Sequence, residues 1–168
     1  AAVADFVARA AVAIGGRTLV LTTTLRALRT VSEALQTRFS GSSELEVLVQ
    51  GQRPKRELLQ RFRAGGNEAA GRPGCILVAS ASFWEGVDVP GNALALVVID
   101  KLPFPPPNDP LVEARSRRLE QLGRSPFKDY FLPEAAVALK QGAGRLIRRE
   151  SDHGILVVCD TRLATMGY

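Results

Sequence analysis

Cys75-Ile76-Leu77-Val78-Ala79-Ser80 is an unbroken apolar run that ends on a hydroxyl. A strand with one wet face alternates apolar and polar residues; this one does not, so both of its faces must be covered. Short apolar runs also stand at Arg17 to Thr22, Leu94 to Asp100 and Ile155 to Cys159, while Glu44 to Gln50 alternates. Helical signals lie between them. Residues 1 to 14 form an alanine- and valine-rich segment stopped by Gly15-Gly16, and Thr24 is placed to cap a helix running to about Phe39. Further helices are expected over Pro54 to Arg63, over Pro110 to Leu122, and after Pro133. Strands separated by helices predict an α/β fold, a mainly parallel sheet with helices on both faces. Ala64 to Gly74, with four glycines and a proline, reads as a surface loop; Leu102 to Pro110, with five prolines, must be extended and rigid. No repeat or linker is evident, so residues 1–168 read as one domain.

At 168 residues and 46% hydrophobic, the chain can bury a real core, which excludes a disulfide mini-protein and a disordered tail. No apolar run reaches the length of a membrane span and no signal peptide is visible, so a soluble, cytoplasmic protein with no membrane partner is expected. Cys75 and Cys159 both sit in apolar runs with no second Cys or His at ligand spacing, which favours buried free thiols over a metal site. His153 reads as a surface residue. The net charge of +5 permits a nucleic-acid partner without requiring one. The chain does not begin with Met, and its one Met is Met166, so it reads as a piece of something longer.

Gln141-Gly142-Ala143-Gly144-Arg145-Leu146-Ile147-Arg148 carries the most chemistry. On one continuous helix, Gln141, Arg145 and Arg148 at i, i+4 and i+7 share a face. Gly142 and Gly144 are poor helix formers, and their presence points to another surface approaching the backbone. Forked guanidinium donors on such a surface suit a polyanion such as a triphosphate; solvated arginines on an exposed helix are the plainer reading.

Ser80-Ala81-Ser82-Phe83-Trp84-Glu85-Gly86-Val87-Asp88-Val89-Pro90-Gly91 starts at the carboxyl end of a strand, the edge where open α/β sheets bind ligands. Gly86 permits a turn or a close approach, and Asp88 sets a carboxylate beside it. Phe83 is expected in the core; Trp84 is open between core and stacking surface. A tight turn with an acidic residue in solvent is the alternative for the whole stretch.

These stretches carry a resemblance. Ser80 to Gly91 resembles motif V of superfamily 2 helicases in the form used by the XPD and DinG branch, and Gln141 to Arg148 resembles that branch's motif VI. Lys101 to Pro110 is similar to the proline-rich link of DinG-like proteins, as is the continuation Arg148 to Gly154. Thr22 to Thr24 fits motif IV more weakly. The resemblance implies the second RecA-like domain of a DinG-like ATP-dependent DNA helicase. ATP and Mg2+ would be shared with a first RecA-like domain, the main partner, and single-stranded or forked DNA would run across both.

Carried over by position, Arg148 is the arginine finger, Arg145 holds the same phosphates, and Gln141 organises the nucleotide-side network. Gly86 and Asp88 match nucleotide-facing positions of motif V, with Glu85 beside them. Ser80, Thr23 and Thr24 match DNA-backbone contacts; a hydroxyl at these places also serves as an ordinary helix cap. The chain has no G-x-x-x-x-G-K-[ST] loop and no Asp-Glu pair, features of the first domain. The cysteines that hold an iron-sulfur cluster in many relatives also belong to that half, so such a cluster is possible in the longer protein and not expected here. Alone, the chain is expected neither to hydrolyse ATP nor to unwind DNA. Alternatives are a basic nucleic-acid-binding α/β module, a motor joined to a nuclease, and an RNA-directed motor.

Overall fold

The computed structural model describes residues 2–67, 70–80, 83, 89, 93–144, 146, 147, 150 and 152–167. In chain order the elements are α1 (Ala2–Ala13), β1 (Thr18–Thr22), α2 (Leu25–Arg38), β2 (Leu45–Val49), α3 (Lys55–Ala64), β3 (Gly74–Ser80) and β4 (Leu96–Ile99). They continue with α4 (Pro110–Gln121), a π-helical turn (Phe127–Phe131), α5 (Leu132–Ala143), β5 (Ile155–Val158) and the short α6 (Arg162–Thr165). The strands form one sheet in the order β2-β3-β1-β4-β5. Every pairing is parallel, with Val20 opposite both Val78 and Val98.

Burial explains the apolar runs of β1, β3 and β4 but not that of β5, an edge strand whose Ile155 and Leu156 are exposed. All residues of β1, β3 and β4 are buried, and odd and even positions go to opposite faces. Val20, Ile76, Val78, Leu96 and Val98 pack against Val7, Ala8 and Ala11 of α1 and Leu28, Val31 and Leu35 of α2. Leu19, Leu21, Leu77, Ala79, Val97 and Ile99 form the other layer with Leu58, Leu59 and Phe62 of α3. That second layer is completed by Phe83, Val89, Leu94 and Leu146 rather than by a further helix of the usual kind. Phe83 is therefore core, as its sequence context suggests; its ring also lies 4.9 Å from Lys55 Nζ.

The predicted ends hold in most places. Thr24 caps α2, its hydroxyl oxygen accepting from Ala27 N–H at 3.1 Å. Asp109 caps α4 ahead of Pro110, accepting from the Leu111 and Val112 N–H groups. Two elements escape the sequence reading. Pro133 lacks the N–H that would reach back four residues, and the helix instead begins earlier through a wider turn in which Leu132 N–H donates to Phe127 O. Helix α6 is a single turn after Asp160, too short for any periodicity to register. The proline-rich segment is not extended throughout: Phe104 N–H folds back to Leu102 O at 2.9 Å, Asp109 N–H closes a turn on Pro106 O at 3.1 Å, and Leu102 is buried. Among the described residues no helix is long and apolar enough to cross a membrane.

At the amino edge of the sheet, the turn between α1 and β1 crosses the start of β3. A Cβ on Gly74 would lie 2.2 Å from Gly15 O, and one on Gly16 would lie 2.5 Å from Cys75 N. Both clashes are with backbone, which cannot swing aside. Gly74→Ala is expected to destabilise the fold by about 1–3 kcal/mol, read as a lower denaturant midpoint at unchanged slope.

Cys75 is a buried free thiol beside the ion pair of Arg61 and Glu46, whereas Cys159 is half-buried just beyond β5. Burial and the nearby Glu46 charge push the Cys75 thiol up to about 12, with Arg61 opposing. The thiolate is the reactive form, so Cys75 is expected to resist N-ethylmaleimide at neutral pH until the chain unfolds. Prompt labelling of Cys75 in the folded protein, mapped by mass spectrometry, would contradict this.

Candidate functional site

All five strands run the same way, so their carboxyl ends lie along one edge, and the residues that follow them carry most of the polar chemistry. By register Thr22 of β1 lies beside Ser80 of β3, and the Thr22 hydroxyl donates to Ala79 O at 3.3 Å. Thr23 follows and turns toward the other neighbour. Its N–H donates to Asp100 Oδ1 at 2.8 Å and its hydroxyl to Asp100 Oδ2 at 3.4 Å. Thr24 is exposed and starts α2. On the other side of β1, Gln50 Oε1 accepts both the Ser80 N–H, at 2.7 Å, and the Ser80 hydroxyl, at 3.0 Å.

Asp100 is buried at the end of β4. Burial pushes its carboxyl upward, against the pull of hydrogen bonds from Thr23 and Lys101 and of the Lys101 charge. Asp160, after β5, is held well below the usual carboxylate range, first by hydrogen bonds from Arg162 and also by N–H groups of Leu102 and Arg162. Its Oδ2 accepts from Leu102 N–H at 2.9 Å, which ties the proline-rich segment to β5. Arg162 in turn lies over the Phe104 ring, 5.2 Å from its centroid.

Gln50, Asp100 and Asp160 were not singled out in the sequence. A signal exists: each is the first strongly polar residue beyond an apolar strand, in Val49-Gln50, Ile99-Asp100 and Cys159-Asp160. Their partners depend on which strands are neighbours, and that order is not local information.

The other group of candidate residues lies over the α3 face of the sheet. Phe83 and Val89, from the stretch after β3, and Leu146, just beyond α5, are buried in one apolar layer, with Leu139 of α5 packed against it. Gln141 is exposed on α5 and Gly142 is buried, in keeping with a close approach at that glycine. The expectation of one continuous helical face is corrected. α5 ends at Ala143 and Gly144 is its exposed C-cap, so the i, i+4, i+7 relation does not extend along a helix past Gln141. Gly144 is thus a helix terminus rather than a point of close packing, the usual place for a residue that propagates a helix poorly. Leu146 holds the following turn down. A Cβ on Gly154, one residue before β5, would lie 2.3 Å from Leu146 Cδ1.

Arg145, Arg148, Trp84, Glu85, Gly86 and Asp88 lie outside the described residues. Of the expected site, the structure therefore places Thr23, Thr24 and Ser80 together at the strand exits and Gln141 on α5. Among the described residues no group of three or more His, Cys, Asp or Glu side chains could hold a metal ion.

The profile of the family described as Helicase C-terminal domain matches residues 7–168. The chain is 46% identical over 153 residues to the ATP-dependent DNA helicase YoaA of Escherichia coli (strain K12), covering 91% of this chain and 22% of that protein. It is 42% identical over 156 residues to the ATP-dependent helicase DinG of Mycobacterium tuberculosis (strain ATCC 25177 / H37Ra), covering 93% and 22%. A solved structure titled XPD_Helicase superposes with a TM-score of 0.65 at 18% identity, covering 96% of this chain and 28% of that one. The chain thus spans about a fifth of the length of these curated relatives. The parallel five-stranded sheet is that of a RecA-like α/β domain. With a match from residue 7 to residue 168, this chain belongs to the Helicase C-terminal domain family.

Proposed function

We propose that this chain is the second motor domain of a DinG-like, cytoplasmic ATP-dependent DNA helicase, working against a first RecA-like domain that supplies the Walker motifs. One observation carries the reading: Phe83 and Val89, within the stretch matching motif V, share an apolar layer with Leu139 and Leu146, which flank Gln141. Phe83 and Val89 of the one stretch and Leu146 of the other thus lie on one face of the sheet. That face would close on ATP and Mg2+ held with the first domain.

In this reading Arg148 directs its guanidinium N–H groups at phosphate oxygens on which charge develops, and Arg145 holds the same group. Gln141, Glu85, Gly86 and Asp88 line the nucleotide side. Thr23, Thr24 and Ser80 form the part of the single-stranded DNA track at the carboxyl edge, where an exposed hydroxyl and the start of α2 suit a phosphodiester. The hydrolysis step belongs to the pair of domains, and neither half suffices.

In the full-length protein, Arg148→Ala is expected to lower DNA-stimulated ATP turnover by about three powers of ten or more, with ATP and single-stranded DNA still bound and circular dichroism unchanged. An unchanged rate in a folded variant would place the arginines elsewhere and favour a basic binding module. That module predicts instead that Arg145→Ala and Arg148→Ala weaken DNA binding and flatten its salt dependence.

Leu146→Ala is expected to cost about 2–5 kcal/mol of stability, since it empties a core position. If the turn beyond α5 serves turnover, Leu146→Met, which keeps the volume, should restore both stability and rate. Restored stability without restored rate would show that the turn needs the leucine's shape as well.

A further inference from the structure

The three hydroxyls at the strand exits are not equivalent once their protons are counted. A hydroxyl has one proton to donate, and a phosphodiester oxygen can only accept. The Thr23 proton goes to Asp100 Oδ2 and the Ser80 proton to Gln50 Oε1. The Thr23 main-chain N–H is committed as well, to Asp100 Oδ1 at 2.8 Å. Thr24 is used in the opposite sense: its oxygen accepts from Ala27 N–H, which leaves its own proton for an acceptor outside the chain.

Asp100 is an expensive choice for a merely structural tie. It is only 5% exposed, and a buried carboxylate must be repaid by close donors. Its location explains the choice. The chain leaves β1 toward β2 on one side of the sheet and leaves β4 toward β5 on the other, so the neighbours β1 and β4 part at their carboxyl ends. Asp100 spans that gap from the β4 side and takes both donors that Thr23 offers. An intramolecular carboxylate therefore occupies the donor pair that an incoming phosphate would otherwise use.

We infer that Asp100 is a positioning residue for the DNA track: it fixes the β1 exit by taking both donors of Thr23, so that Thr24 and not Thr23 supplies the hydroxyl proton to the DNA backbone. This rests on the reading that the carboxyl edge meets single-stranded DNA. It assigns Thr23 a shaping part and gives Asp100 a function that its motif neighbours do not suggest. Gln50 holds Ser80 in the same way on the far side of β1.

The test uses the full-length protein, with anisotropy of a fluorescein-labelled oligothymidine over a range of NaCl, the DNA concentration that half-saturates ATP turnover, and hydrogen exchange of the peptide spanning the β1 exit. Asp100→Ala is expected to raise the half-saturating DNA concentration about fivefold or more while the maximal rate stays within about twofold, as for one lost hydrogen-bonded contact. Exchange at the β1 exit should quicken, and the salt slope should stay unchanged, because no cation leaves a phosphate. Asp100→Asn, whose amide oxygen still accepts from Thr23 N–H, should bind DNA like wild type. Thr24→Val should weaken binding and Thr24→Ser, which keeps the hydroxyl, should bind like wild type; this pair decides the matter even if Asp100→Ala fails to fold.

A folded Asp100→Ala with wild-type DNA affinity where Thr24→Val binds weakly, or a Thr24→Ser as weak as Thr24→Val, overturns the inference. If Thr24→Val and every other change at these exits leave DNA binding untouched, it is the placement of DNA on this edge that fails.

Discussion

Burial of both faces of the three central strands is the constraint on which the rest of the molecule depends. β1, β3 and β4 have no exposed residue, so their polar side chains stand at the strand ends where an acceptor is at hand: a backbone carbonyl for Thr18 and Thr22, and Gln50 Oε1 for Ser80. Polarity is pushed to the ends. Because every strand is parallel, those ends share an edge, and Gln50, Ser80, Thr23, Asp100 and Asp160 meet there through the topology alone. A site at this edge is the result of burying the middle.

The two faces are covered differently, and that difference links stability to the candidate chemistry. On one face α1 and α2 supply ordinary helical cover. On the other, α3 covers only part, and Phe83, Val89, Leu94 and Leu146 complete the layer. The stretch resembling motif V and the turn after α5 are therefore structural lids on the core as well as carriers of the proposed nucleotide-side residues. Burying such side chains contributes roughly 1.5–3 kcal/mol each. Gly154 belongs to this arrangement: its missing Cβ leaves the space that the Leu146 side chain fills.

β1, β3 and β4 were legible in the sequence because burial on two faces removes alternation, which is a local signal, whereas β5 carries the same apolar signal at an exposed edge. Helix starts were legible where a side chain caps them, as at Thr24 and Asp109. The π-helical turn was hidden because the residue that causes it, Pro133, also reads as an ordinary helix start. The end of α5 was misjudged for a related reason. Gln141 to Arg148 keeps helical spacing past Gly144, but spacing records which residues a helix would align, not whether two glycines in three positions allow it to continue. Thr23, Thr24 and Ser80 were legible as hydroxyls after strands. The acceptors of Thr23 and Ser80 were not, since Asp100 lies 77 residues from Thr23 and Gln50 lies 30 from Ser80.

Chain connectivity joins the edge to the face. The segment that begins at Ser80, where Gln50 holds it, buries Phe83 and Val89 across the α3 face, enters β4, and ends at Asp100, which holds Thr23. It leaves the carboxyl edge on one side of β1 and returns to the same edge on the other. Both of its ends are hydrogen-bonded to strand exits, and its middle is bonded into the core by apolar contact. Under the helicase reading, this is the covalent path from the nucleotide face to the DNA edge, about twenty residues long and anchored at three places.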